Sequence, residues 1–225
     1  EITESNASLV IFHHENDLFG NIEDYKKMLP SVQFEYVPHS AENTVFKEYP
    51  EVKKDWDVLL VGALGYTSKV GQHYPIRDRM ATLLNKFPKK YKVSRYSRPP
   101  GRSDDAYKNH SAIEFAKVIN STKICITDSG APKSRFGKYI EIPMCGTVIA
   151  GDIPNDDSGN FRKFVIEIDN DMLDEQIISK ITGYLDDSEK LNNMITAGIN
   201  WSKEYTQEKY AERFVDKIKN YARNS

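Results

Sequence analysis

The chain predicts a doubly wound α/β fold: a Rossmann-like parallel sheet with helices on both faces and further helices at its C-terminal end. Three observations carry the prediction. Short apolar, β-rich runs alternate along the chain with segments of helical periodicity. Several runs, such as Val58-Leu59-Leu60-Val61, are unbroken rather than alternating, as strands of a parallel sheet covered on both faces should be. Beyond residue 168 the pattern is helical to the end.

The elements follow in order. A strand over 9–12 and a second over 32–37 bracket a helical stretch, making one strand-helix-strand unit. Tyr36-Val37-Pro38-His39-Ser40 closes that unit and opens a polar stretch to Lys54, with Tyr49-Pro50 inside it. A unit so short does not bury a core of its own. The expected division is therefore a small unit over 1–37, packed on a main domain over 38–225 or left from a missing one. The main domain carries strands over 58–62, 91–94, 123–127, 147–150 and 164–168. Between them lie helices over 76–87, 111–119 and 135–142, the last stopped by Pro143. Helices over 172–185, 189–205 and 207–221 finish the chain. Their Trp201, Tyr205, Tyr210, Phe214 and Tyr221 recur at helical spacing and suit packing.

Composition excludes some classes. A net charge of −2 argues against general nucleic-acid binding, which needs a positive surface. No apolar run approaches the roughly 20 residues of a membrane-spanning helix. The two cysteines, Cys125 and Cys145, sit in separate apolar settings, which suits a reducing, cytoplasmic compartment. They lack the paired spacing of a zinc site. The opening Glu-Ile-Thr-Glu, without initiator Met or signal segment, reads as a domain of a longer polypeptide, with neighbouring domains as partners.

In open α/β sheets, ligands bind beyond the carboxyl ends of the strands. Four loops qualify: from Gly62 to Arg77, from Arg95 through Tyr96 and Arg98 to Gly101, from Asp128 to Lys138, and Gly151-Asp152-Ile153-Pro154. The third is the most informative. It feeds a helix expected to hold Arg135 and Lys138 in its first turn, where exposed N–H groups and cations favour a diphosphate. Glu141 lies three residues after Lys138, on nearly the same face, and its carboxylate suits a ribose diol. The same spacing also suits a plain surface Lys–Glu pair. Asp55-Trp56-Asp57 has the form of a metal–diphosphate DxD, but it precedes its strand and reads as solvated carboxylates at the wrong end of the sheet. His13-His14, with Asp17 close behind, follows the first strand at a carboxyl end. A histidine there titrates near neutrality and suits a general base, and a polar strand terminus is the competing reading.

The run Lys138-Tyr139-Ile140-Glu141-Ile142-Pro143-Met144-Cys145-Gly146-Thr147-Val148-Ile149 resembles the segment before the last Rossmann strand of GT-B glycosyltransferases, in the form of the CgeB-like branch. Tyr36-Val37-Pro38-His39-Ser40 is similar to the interdomain linker of that superfamily, and Tyr74-Pro75-Ile76-Arg77 to the start of its first donor-domain helix. The chain also resembles a module of the multidomain glycosyltransferases of large algal viruses, which handle rhamnose among other sugars. Two departures stand beside the likeness. Only about 37 residues precede the linker, where a full GT-B enzyme has an acceptor domain. Lys133 stands where many members carry a partner glutamate, eight positions before Glu141.

The resemblance implies a donor domain for a nucleoside-diphosphate sugar, most simply a UDP-sugar, with a carbohydrate acceptor and no cofactor. Glu141 would hold the ribose, and Arg135, Lys138 and Arg77 the diphosphate. Ser134 and Gly62 would lie beside the donor, with Tyr96 and Arg98 covering the base. The expected chemistry is metal-independent transfer with inversion, using His14 ahead of His13 and Asp17 as base. A binding module inactive without a partner acceptor domain is the first alternative, and a regulatory nucleotide binder the second. The absence of a G-x-G-x-x-G loop after a strand speaks against dinucleotide binding.

Overall fold

The computed structural model describes residues 7–14, 22–65, 67–68, 71–96 and 111–224. Strands β1 (Leu9–Phe12) and β2 (Gln33–Tyr36) pair in parallel, Leu9 opposite Gln33 and Phe12 opposite Tyr36. Helix α1 (Ile22–Met28) joins them in chain order, and Phe12, Tyr25 and Phe34 form a small aromatic cluster beneath it.

The main sheet holds β3 (Trp56–Val61), β6 (Val93–Tyr96), β7 (Thr122–Ile126), β8 (Val148–Gly151) and β9 (Val165–Glu167). All neighbours run parallel in the order β6-β3-β7-β8-β9. A small antiparallel hairpin of β4 (Thr67–Ser68) and β5 (Gly71–Gln72) stands on the loop after β3.

Residues two apart on these strands divide between two cores. Val58, Leu60, Ile124, Ile126, Val148 and Ala150 meet Met80 and Leu83 of α2 (Pro75–Leu83), Ile177 and Ile181 of α6 (Asp174–Leu185), and Leu191 and Met194 of α7 (Ser188–Ser202). Leu59, Val61, Cys125 and Ile149 meet α3 (Ala112–Asn120), α4 (Lys138–Met144) and α5 (Ser158–Phe161) on the other face. Both faces being covered explains why the strands are unbroken apolar runs. The thiols of Cys125 and Cys145 are buried in this second core. Helix α8 (Gln207–Asn224) reaches the β1–β2 pair through the Lys217–Glu35 ion pair at 2.6 Å. None of the described helices is long and apolar enough to cross a membrane.

Three local expectations are corrected. The helix expected from 135 begins at Lys138: the Arg135 N–H donates to Asp156 Oδ1 at 3.1 Å and the Ser134 N–H to Ser129 O at 3.2 Å, which hold both residues in the loop, and the first i→i−4 bond runs from Glu141 N to Gly137 O at 2.8 Å. Pro143 lies inside α4 rather than after it. The helix closes there through shorter bonds, from Cys145 N to Ile142 O and from Gly146 N to Pro143 O, each 3.1 Å, so the missing proline N–H falls where the ladder is already ending. The strand expected at 91–94 is displaced to Val93–Tyr96, because Tyr91 closes a turn on Pro88 O.

Candidate functional site

The strand order places a topological switch point in the main sheet. From β3 the chain crosses to β6 on one side, then passes over β3 to β7 and continues outward through β8 and β9. The loops after β3 and β7 therefore diverge, and their divergence leaves a crevice at the carboxyl edge. A cavity of about 620 Å³ opens there.

Its walls come from six segments of the chain. Gly62, Ala63 and Leu64 follow β3, Arg95 and Tyr96 end β6, and Thr127 and Asp128 follow β7. Tyr74 and Arg77 enter from the start of α2, while Phe136, Gly137, Lys138 and Glu141 come from the α4 segment, with Phe115 of α3 opposite. Of the donor residues expected from the sequence, Gly62, Arg77, Tyr96, Lys138 and Glu141 meet in this cavity. Arg98 and Asp17 lie outside the described residues.

The cavity is polar by pairs. Arg77 Nε donates to Asp128 Oδ1 at 2.8 Å and its backbone N–H donates to Oδ2 at 3.1 Å. Its guanidinium lies 3.4 Å above the Tyr74 ring. Burial pushes the Asp128 carboxyl above its ordinary value, and Arg77 pulls it back most strongly. Lys138 Nζ donates to Glu141 Oε2 at 2.7 Å, so the Lys–Glu pair forms, but on the cavity wall. Lys138 also stands 4.6 Å over the Phe115 ring, which packs against Tyr96 at 5.3 Å. Arg95 is exposed at the rim and makes no ion pair among the described residues.

Ser134 and Arg135 are placed differently from expectation. Neither lines the cavity, and both are buried, Arg135 to 4% exposure. The guanidinium of Arg135 pairs with Asp156 at 3.0 Å, donates to Tyr36 Oη at 2.9 Å and packs over the Tyr205 ring at 4.3 Å. Burial works against its charge, yet Tyr36 and Asp156 outweigh it and raise its pKa. Arg135 therefore ties the end of β2 to the loop after β8 and to Tyr205. The loop after β8 is tied down likewise. Asp152 accepts from Ser129 N–H and Lys133 Nζ at 2.7 Å each, and Tyr139 Oη donates to its carbonyl at 2.6 Å.

The two histidines after β1 diverge. His13 Nδ1 lies 3.1 Å from Val37 O, and its ring stacks on His39 at 5.2 Å and faces Tyr210 at 5.6 Å. His14 Nε2 lies 3.1 Å from His39 Nε2, and its ring meets Phe136 edge-on at 5.0 Å. His14 thus backs a cavity wall residue without lining the cavity. Asp57 of the DxD stands at the opposite, amino end of the sheet, paired with Lys123 at 2.7 Å.

Sequence reasoning missed Tyr74, Arg95, Phe115 and Phe136 as wall residues. Tyr74, Arg95 and Phe136 lay inside loops already singled out, whereas Phe115 lay in the helix over 111–119, outside them.

No family model matches the chain, and no curated protein does. Its likeness is to solved structures. It is similar to the sucrose-phosphate synthase of Thermosynechococcus elongatus, with a TM-score of 0.62 and 13% identity over 98% of this chain and 60% of that one. It is similar to HepE of Anabaena in complex with UDP and glucose, with a TM-score of 0.64 and 10% identity over 95% of this chain and 64% of that one. It is also similar to the pneumococcal O-GlcNAc transferase GtfA in complex with UDP and GlcNAc, with a TM-score of 0.58 and 12% identity over 97% and 46%. The doubly wound architecture is the one shared with these GT-B glycosyltransferase structures. The chain spans less than two thirds of the length of each.

Proposed function

We propose that this chain is the nucleotide-sugar-binding half of a glycosyltransferase, moving a sugar from a nucleoside-diphosphate donor to a carbohydrate acceptor. One observation carries the reading: the switch-point cavity joins cations, a carboxylate on a helix face, and an aromatic wall. Arg77, Arg95 and Lys138 suit a diphosphate. Glu141 suits the ribose diol, and the Tyr96–Phe115 pair offers an apolar face to the base. UDP is the first nucleotide to test, because HepE and GtfA share the fold in complexes with UDP.

In the proposed reaction an acceptor hydroxyl oxygen bonds to the anomeric carbon while the bond to the diphosphate oxygen breaks. The leaving nucleotide takes the electron pair, and a base takes the hydroxyl proton. Arg77 and Lys138 neutralise the leaving charge, which makes a metal dispensable, and a base on the β1 side makes direct displacement with inversion the simpler course. His14 is the preferred base, since among His13, His14 and His39 it is the one whose ring meets the cavity wall. The CgeB-like branch is supported by residues 138–149, and a module of an algal-virus polypeptide, with rhamnose among its sugars, by the size of the chain. A cytoplasmic setting is supported by two buried free thiols. The unit over 1–37 is read as the remainder of an acceptor-side domain.

Titration calorimetry with UDP and GDP, with and without EDTA, tests this. Binding that survives EDTA is expected; its abolition overturns metal independence, and no binding of either nucleotide overturns the donor reading. The second reading, a module inactive until a partner supplies the acceptor site, is favoured by the chain's span of its structural neighbours. Hydrolysis of a UDP-sugar by the chain alone would decide for the enzyme.

A further inference from the structure

Arg77, in the first turn of α2, is held on three sides. Its Nε and its backbone N–H both engage Asp128, at 2.8 and 3.1 Å, and the Tyr74 ring closes one face of the guanidinium at 3.4 Å. The remaining side is Gly62. A Cβ on that residue would stand 2.1 Å from Arg77 Nη1, so the absent side chain is the space the guanidinium fills. Gly62 also has φ +112°, a conformation that side-chain-bearing residues rarely adopt. Asp128 is 1% exposed and Arg77 5%, yet both reach the cavity wall.

We propose that Asp128 and Gly62 are positioning residues for Arg77, fixing its guanidinium so that its outer nitrogens meet the donor's diphosphate. The proposal rests on the donor reading above and adds to it the parts that set the cation in place. A flexible surface arginine loses rotamer freedom when it grips a phosphate; this one has lost it on folding. Asp128 takes the inner edge of the planar fork, leaving the Nη edge for a ligand, and Gly62 lets that edge lie flush with the wall. A buried ion pair is often no more than neutral for stability, so a functional gain would account for keeping it.

Calorimetric Kd values for UDP and for uridine, with melting temperatures, test this on wild type, Gly62→Ala, Asp128→Asn and Arg77→Met. Arg77→Met should weaken UDP binding by about 10–100-fold, the scale of a lost charge-assisted contact. Gly62→Ala and Asp128→Asn should each weaken UDP binding about tenfold or more, on the same grounds, and leave uridine binding unchanged, since uridine has no phosphate. Combined with Arg77→Met, neither should add a further loss, because both act through that side chain. A merely structural role would lower UDP and uridine binding together and would persist in the Arg77→Met background. Either result overturns the positioning role, as do variants with wild-type UDP affinity. If Asp128→Asn fails to fold, Gly62→Ala measured in the wild-type and Arg77→Met backgrounds decides, since the strain of an alanine at φ +112° persists in both and displacement of the guanidinium does not. If wild type binds no nucleotide, the donor reading falls, and this inference with it. Wild-type binding that Glu141→Ala weakens while the Gly62 and Asp128 variants leave it intact removes the positioning role alone.

Discussion

Lys138 and Glu141 each occupy the group a donor would use. The 2.7 Å contact between them takes one of the ammonium's three donors and one carboxylate oxygen, so each group competes with the donor for the other. Glu141→Ala should accordingly weaken uridine binding by about 1–3 kcal/mol. UDP binding should fall by less, since the same change releases Lys138; titration with both ligands reads the difference, and equal losses would refute the pair's double role. The cavity residues Gly62, Arg77, Lys138 and Glu141 were legible because charged and glycine-rich loops beyond parallel strands have few purposes other than ligands. Arg135 was not legible. A cation ahead of a helix looks the same in sequence whether it faces a phosphate or a carboxylate, and Asp156 lies 21 residues away. Arg135→Met should leave Asp156 buried without its counter-charge and cost about 3–5 kcal/mol of stability. Nucleotide affinity should be unchanged once the variant is folded, as denaturant melts and calorimetry together would establish.

Between elements, the junction of β1, residues 38–41 and α8 gathers three imidazoles, His13, His14 and His39. His39 lies against His13, His14 and Arg135, and burial followed by those charges lowers its pKa from 6.5 to about 4. The unfolded chain then takes up a proton as the pH falls below about 6.5, and the folded chain only near 4. Across that window the unfolded state binds more protons, so stability falls with falling pH and is unaffected by this group above it. The melting temperature should show this decline, and His39→Gln should flatten it; an unchanged slope would place the titrating group elsewhere. The histidine contacts were not legible, since they join residues 25 apart through folding. The β4–β5 hairpin was equally hidden, because two-residue strands carry no periodicity. Pro143 misled for a different reason: proline ends a helix by removing one bond, and α4 had already reached its last turn.

Across the whole molecule, the sheet was legible because its two cores each take alternate residues of the same apolar strands. The sheet order was not, since apolar runs do not say which neighbour a strand will choose, and the switch point follows from that order. The same double covering has a chemical consequence for Cys125 and Cys145. Thiol reagents attack the thiolate, and burial pushes Cys125 up to about 12 and Cys145 higher still. Neither sulfur can be modified until the second core parts, so the rate at which a disulfide reagent colours the solution becomes a clock for rare openings of the native fold. UDP, if it binds across the cavity, should slow that clock in proportion to its occupancy. Rapid labelling at a rate indifferent to denaturant would mean instead that the core breathes locally around the thiols.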